Sequence, residues 1–329
     1  MDPLQILRHA WRITKTQRAL WVFGIVLALT GVSSGGFNLG GRGRGIFTYE
    51  VNRPEVERFF RNEVIIGLLL LALCLSLFLV VGAIVLRYVS ATALYRSVHR
   101  WVTDSTEVTL RRGFSLGWSR RAFRQFLIDL LVNFPLAILF ILMLLISLSP
   151  LFLLASDNAG LQIGGTLVTL GLVLLALLII FAISLVASLL TQFWHREAAI
   201  DGKGVIQSLR DGTRLVRENL RQAVVMYLVL IGIGIGWGLI TFPVTLVIIL
   251  VAIAAGGGTL LLVQQITHSS LAGWLVGVPI GFTVYLVPVL LLNGIYVTFN
   301  TTAWTLTYLA LTGRWALPDD SNPLTIPQV

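Results

Sequence analysis

Gly113, Ser115 and Gly117, in the stretch RRGFSLGWSRR over 111–121, reproduce the G-x-S-x-G spacing of a nucleophile elbow. The chemistry that spacing serves is acyl transfer: a serine on a sharp strand-to-helix turn attacks a carbonyl, with a histidine as base and a carboxylate to orient it. Such a site would have to recruit His99 or His195 together with Asp104, Asp129 or Asp211, and no spacing selects that set. STEVTLRR before the motif reads as a basic surface segment, and a membrane-length apolar run follows within a dozen residues. A bend where a surface helix turns into a span, with Ser119 as its N-cap, accounts for the stretch better than catalysis. A membrane-bound hydrolase using Ser115 ranks third among the functional readings.

Other reactive side chains are sparse. The four histidines, His9, His99, His195 and His268, form no i, i+4 pair and no H-E-x-x-H, and Cys74 is the single cysteine, so no metal or cofactor site is expected. Two polar residues fall within apolar runs. Asp129, in RQFLIDLLVNF, stands about one turn after Arg124 and is expected to pair with Arg124 or Arg121; Asn293 suits an interhelical hydrogen bond. GWLVGVPIG places Gly273, Gly277 and Gly281 on one strip of a helix, and GIGIGWG pairs Gly232 with Gly236 and Gly234 with Gly238. Small residues at this spacing let helix backbones approach closely; Trp237 at the third glycine position sets the stretch apart from a dinucleotide fingerprint.

The elements that must carry these residues are membrane spans. Apolar residues make up 56% of the 329 and charged residues 12%, far from the balance of an ordinary soluble domain. Apolar runs predict spans at about 19–35, 64–86, 126–155, 166–191, 223–255 and 274–296, the first being marginal in length. A signal peptide is the alternative for that first run; the long basic stretch before it and the lack of a small-residue cleavage site favour a retained span. Pro135, Pro243, Pro279 and Pro288 lie inside the runs and predict bent helices.

The net charge of +9 has a topological explanation. Nineteen of the twenty-four lysines and arginines fall in residues 1–18, 87–125, 195–222 and the tail, and five in the opposite segments. That is the positive-inside pattern, with both termini cytoplasmic, and it leaves no call for a nucleic-acid partner.

Repetition organises the chain. LRHAWRITKTQRALW from Leu7 and LRDGTRLVRENLRQAVV from Leu209 share L-R-x-x-x-R before a span, and LRRGFSLGWSRRAFRQF from Leu110 shares LR-x-G with the latter. Helices lying in the membrane interface are expected at about 3–17, 54–62, 88–118 and 204–220. In the last of these, Val205, Leu209, Val216 and Leu220 fall on one side at 100° per residue, with Arg210, Arg214, Arg217 and Arg221 in a second stripe. Those arginines, with Arg120 and Arg121, are candidates for anionic lipid headgroups. The expected fold is one domain over 1–329: an all-α integral membrane protein of about six transmembrane helices, in three repeats of a basic interfacial helix and a transmembrane hairpin.

By its SLRDG and LRRGF stretches and its layout, the chain resembles bacterial multi-pass membrane proteins of unknown function. They are similar in style to the membrane domain that accompanies some glycerophosphoryl diester phosphodiesterases. The resemblance implies a place in the bacterial cytoplasmic membrane and no reaction, since no soluble stretch is long enough for the phosphodiesterase barrel. The leading expectation is a non-catalytic scaffold or accessory subunit, with membrane lipids and other subunits, or a second copy, as partners. A transporter or lipid-handling protein, built on the bent spans and the basic helices, is the alternative.

Overall fold

The computed structural model describes residues 2–31, 63–104, 109–155 and 158–315, and no strand occurs among them. Among the described residues the helices are taken in chain order in three sets. The first set is α1 (Pro3–Thr16), α2 (Ala19–Leu29) and α3 (Glu63–Asp104). The second is α4 (Leu110–Gly117), α5 (Arg120–Leu148), which runs on into a 3-10 segment (Ser149–Ala155), and α6 (Ala159–Arg196), which ends in a π-helical turn (Glu197–Asp201). The third is α7 (Val205–Glu218), α8 (Leu220–Thr267) and α9 (Ser270–Leu311).

Five helices are long and apolar enough to cross a membrane, within 69–103, 120–153, 159–201, 220–267 and 270–311. The sixth expected span, 19–35, is represented by the 11 residues of α2. At 1.5 Å per residue that is roughly 16 Å, half a hydrocarbon core. It stops at Thr30 and at Gly31, whose φ of 78° is a left-handed turn conformation. The helix expected over 54–62 lies outside the described residues. Residues 88–104, expected as the start of a separate surface helix, instead prolong α3, and only 110–117 form a helix of their own.

The long helices divide into two zones. Their outer parts are apolar and exposed: Leu71, Phe78, Leu145, Leu178, Leu239, Leu250 and Leu275 are each at least half accessible. In lipid that exposure is the stable arrangement, because hydrocarbon surrounds the side chains and the helix satisfies its own backbone. The opposite parts converge at the basic end on a shared core of Leu94 and Val98 (α3), Phe193 (α6), Met226 (α8), and Trp304 and Tyr308 (α9), with Ile6 and Phe23 from α1 and α2. The second half of α9 is buried although it reads VTFNTTAWTLTYL. The hydroxyls of Thr298, Thr302, Thr305 and Thr307 each donate to the carbonyl one turn back, at 2.7–2.8 Å, so the buried polar groups are satisfied within the helix.

Each of the three short lead-in helices docks on its neighbours through a small residue. In LRHA, LRRG and LRDG the small fourth residue faces inward: Ala10 is fully buried, Gly113 lies against the Phe23 ring and Gly212 against Trp194. The arginine two places earlier, Arg8, Arg111 or Arg210, is exposed in each. On α7 the apolar stripe of Val205, Leu209 and Val216 is taken up by protein, and only Leu220, beyond its end, stays exposed. The stripe expected to enter the acyl boundary is therefore a docking face.

Candidate functional site

Polar chemistry concentrates where α3, α5 and α6 meet at the start of the basic end. Arg121, Gln125 and Asp129 are one turn apart on α5 and face inward. Asp129 Oδ2 accepts from Tyr88 Oη at 2.7 Å, His195 Nε2 lies 2.9 Å from Oδ1, and Arg87 Nη2 is 3.9 Å from Oδ2. The expected partners were Arg121 and Arg124, but both reach past Asp129. Arg121 donates to the carbonyls of Ala199 and Ile200 at 2.9 and 2.8 Å, and Arg124 to those of Gly202 and Lys203. The reason is the π turn: the extra residue per turn turns carbonyls aside from the helix axis, and guanidinium groups supply the missing donors.

Arg196 is the deepest cation, fully buried. Its guanidinium lies 4.8 Å from the Tyr95 ring centroid and donates to Gln192 O, to Thr301 O at 3.2 Å and to Thr305 Oγ1 at 3.3 Å. It has no carboxylate within ion-pair distance among the described residues; carbonyls and an aromatic face take that place. This ties α6 to α3 and α9.

Beyond the π turn, Lys203 Nζ contacts Glu197 Oε2 at 2.7 Å and Asp211 Oδ2 at 2.9 Å, clasping the turn to α7. Asp201 receives Tyr308 Oη at 3.2 Å and pairs with Arg314. Burial opposes the charge on Lys203, but its hydrogen bonds to Glu197 and Asp211 outweigh that and hold its pKa above the ordinary lysine value. The same contact holds the Asp211 carboxyl below the usual carboxylate range. A depressed acid contributes stability above its unfolded pKa and loses it as pH falls through the folded one; a raised base contributes below its unfolded pKa and loses it as pH rises through the folded one. The clasp is therefore whole between about pH 4 and pH 10. Lys203→Gln leaves Glu197 buried without its cation and should cost about 2 kcal/mol, discounted from a fully buried pair because Lys203 is partly exposed. The difference in thermal midpoint should hold across neutral pH and shrink below about pH 4; a constant difference down to pH 2.5 would assign it to packing.

The other sequence candidates fall into used and open groups. Ser115 lies in α4, exposed, and donates to Arg112 O at 2.9 Å. Its flanking glycines serve contact: a Cβ at Gly113 would sit 2.7 Å from Phe23 Cε2, and one at Gly117 would strike the Val89 carbonyl oxygen. Gly273, Gly277 and Gly281 face α8, with Cβ positions 2.7–3.0 Å from Leu260 and Ala252 atoms. Gly232 and Gly236 have nothing within 4 Å. Asn293 is exposed and donates to Val289 O at 2.9 Å, apart from Asp129. Arg120, Arg210, Arg214, Arg217 and Arg221 are exposed, and Arg214 pairs with Glu218 at 3.1 Å. Arg121 is the exception, committed to the π turn.

Two features escaped sequence reading. Arg196 sits in a stretch, HREAAIDGK, whose charges read as a loop between spans. The pairing of His195 with Asp129 joins residues 66 apart, and no local pattern encodes it. Residues 11–314 match the model of a family described as "Family of unknown function (DUF7544)". No curated protein and no solved structure matches the chain.

Proposed function

Because the chain belongs to the DUF7544 family, whose description assigns no activity, we propose a role from its own residues: a non-catalytic membrane protein that gathers anionic phospholipid at its basic end. The observation that carries this reading is the division among the arginines. Those facing inward are consumed by carboxylates and carbonyls, whereas Arg8, Arg12, Arg111, Arg112, Arg120, Arg210, Arg217 and Arg221 are exposed and carry no ion pair among the described residues. All lie on the lead-in helices or on the first residues of a span. With that end at the cytoplasmic face, each is worth about 1 kcal/mol against an anionic leaflet. Asp129 is taken up by Tyr88, His195 and Arg87, and Asn293 is bonded within its own helix, which favours packing over a substrate path. Ser115, exposed on a helix and donating to the Arg112 carbonyl of its own turn, has the setting of a surface hydroxyl.

A scaffold or accessory-subunit role is compatible with this and draws on α8. Gly256 packs against the α9 strip of Gly277 and Gly281, while Gly232 and Gly236 leave a flat face open.

The test is reconstitution in phosphatidylcholine vesicles carrying a minority of spin-labelled phosphatidylglycerol. The protein should hold the anionic label severalfold over a phosphatidylcholine label, less so at high salt. Arg210→Gln, Arg217→Gln and Arg221→Gln together should remove much of that preference. Equal association of both labels with the unsubstituted protein would sink the reading.

A further inference from the structure

A groove of about 630 Å³ lies between α3 and α5, and it crosses the boundary between the two zones of the molecule. One end is formed by Val81, Ile84 and Val85, the last residues of the exposed apolar run of α3, accessible at 52, 39 and 41%. The other end is formed by Trp118, Ser119 and Arg120 at the head of α5. Trp118 is 71% exposed and Arg120 is exposed. A tryptophan and an arginine at one end and bare aliphatic chains at the other reproduce, over one groove, the polarity of a phospholipid lying along the bilayer normal.

The floor is fixed in advance. Tyr88 meets Phe126 edge-on at 5.6 Å between centroids, and Phe126 meets Phe123 at 6.0 Å. Tyr88 is held from behind by its hydrogen bond to Asp129, with the Arg87 guanidinium 5.4 Å from its ring centroid. An apolar cleft whose walls are already ordered takes an acyl chain without the entropy of ordering them.

The mouth favours an anion. Ser119 occupies the N-cap position of α5, yet its side chain makes no cap hydrogen bond, and its buried Oγ has no partner. It sits beside Arg120, at the positive end of a 29-residue helix.

We propose that the α3–α5 groove is a discrete site for one anionic diacyl phospholipid, an acyl chain lying along Val81, Val85 and Phe126 and the phosphate at Arg120 and Ser119. The site rests on the lipid reading of the basic end and deepens it: the exposed arginines enrich anionic lipid around the protein, and the groove holds one molecule of it.

The experiment has two arms on the full-length protein loaded with phosphatidylglycerol. In the first, native mass spectrometry after detergent extraction counts retained phospholipid. The unsubstituted protein should keep one molecule per chain. Val85→Trp, which fills the groove, and Arg120→Glu, which repels the phosphate, should each lower that occupancy at least tenfold, and Leu250→Ala, on the exposed apolar part of α8, should leave it unchanged. In the second, phosphatidylglycerol with a diazirine in its acyl chain is photolysed on the unsubstituted protein, so the outcome does not depend on a variant folding. Cross-links should map to 81–89 and 118–126. Cross-links confined to another region, such as the cleft lined by Trp11 and Trp237, or retention unaffected by Val85→Trp, would overturn the site. Vesicle enrichment of phosphatidylglycerol without a retained molecule would remove the groove site and leave the wider lipid reading standing; loss of both would remove both.

Discussion

Replacing Gly294 by leucine should release α2 from the body of the protein and lower its stability by about 4 kcal/mol. A Cβ at Gly294 would lie 2.9 Å from both the N and Cα of Ile25 and closer still to Ile25 Cγ1. One at Gly24 would strike Thr298 Oγ1 and the Gly294 carbonyl oxygen. Two backbones cross here at glycine on glycine, and neither can yield as a flexible side chain would. Overpacking alone costs about 1–3 kcal/mol. If α2 swings away, Leu20, Phe23 and Leu27, now 0–2% exposed, lose their burial, at about 1.5–3 kcal/mol for each side chain fully exposed. Part of that is recovered in lipid, so the total is set nearer the overpacking range. Thermal unfolding in detergent measures the loss, and protease cleavage near Arg18 reports whether α2 has detached. Gly24→Leu should do the same, and the pair together should cost little more than either alone, because both break one crossing. Additive losses would mean that α2 is held elsewhere.

Asp129→Ala should be the most damaging change to the polar hub, at about 3 kcal/mol. Asp129 is 9% exposed, bonds to Tyr88 and His195 and is ion-paired with Arg87. Without it a phenol, an imidazole and a guanidinium face one another around a hole, and the Tyr88 side of the α3–α5 groove loses its support. Asp129→Asn keeps an oxygen for Tyr88 and the same volume while removing the charge, and should cost about half as much. A double-mutant cycle with His195→Ala should return a coupling of about 1–2 kcal/mol. A coupling near zero would show that the imidazole is held by packing rather than by the carboxylate. Because Tyr88 floors the groove, Asp129→Ala should also weaken lipid retention, whereas Asp129→Asn should spare it.

The apolar runs and the basic alternation were legible because hydropathy acts residue by residue, and lipid rewards it without regard to partners. Boundaries failed where burial is by protein. RYVSATALYRSVHR after Leu86 has the mixed polarity of a surface helix, yet Ser90, Thr92, Ala93 and Leu94 are all fully buried as the continuation of α3. VTFNTTAWTLTYL looks too polar to extend a span past residue 296, but threonines that bond back to their own helix are cheap to bury. Asp129 was recognisable as an intramembrane charge. Its partners were not, because spacing along one helix favoured Arg124 while the three-dimensional neighbour is His195, brought in from α6. The glycines of GFSLG were seen as a motif before they could be seen as contacts, since what they touch, Phe23 and Val89, comes from two other helices.

The core at the basic end has a consequence for how the protein is made. Its most buried stretch, Val297–Leu309, lies at the far end of α9, and it closes contacts with Leu20, Arg196 and Asp201, the first of them 278 residues earlier in the chain. Each span can partition into lipid as it leaves the ribosome, since its outer part asks nothing of its neighbours. The core has no such independence: until α9 is synthesised, Arg196 is without its Thr301 and Thr305 acceptors, and α2 is without its crossing partner in α9. Closure of these contacts is therefore expected to come last. A chain interrupted after residue 293 would have the Asp129 partners in place and still lack the α9 acceptors of the buried Arg196.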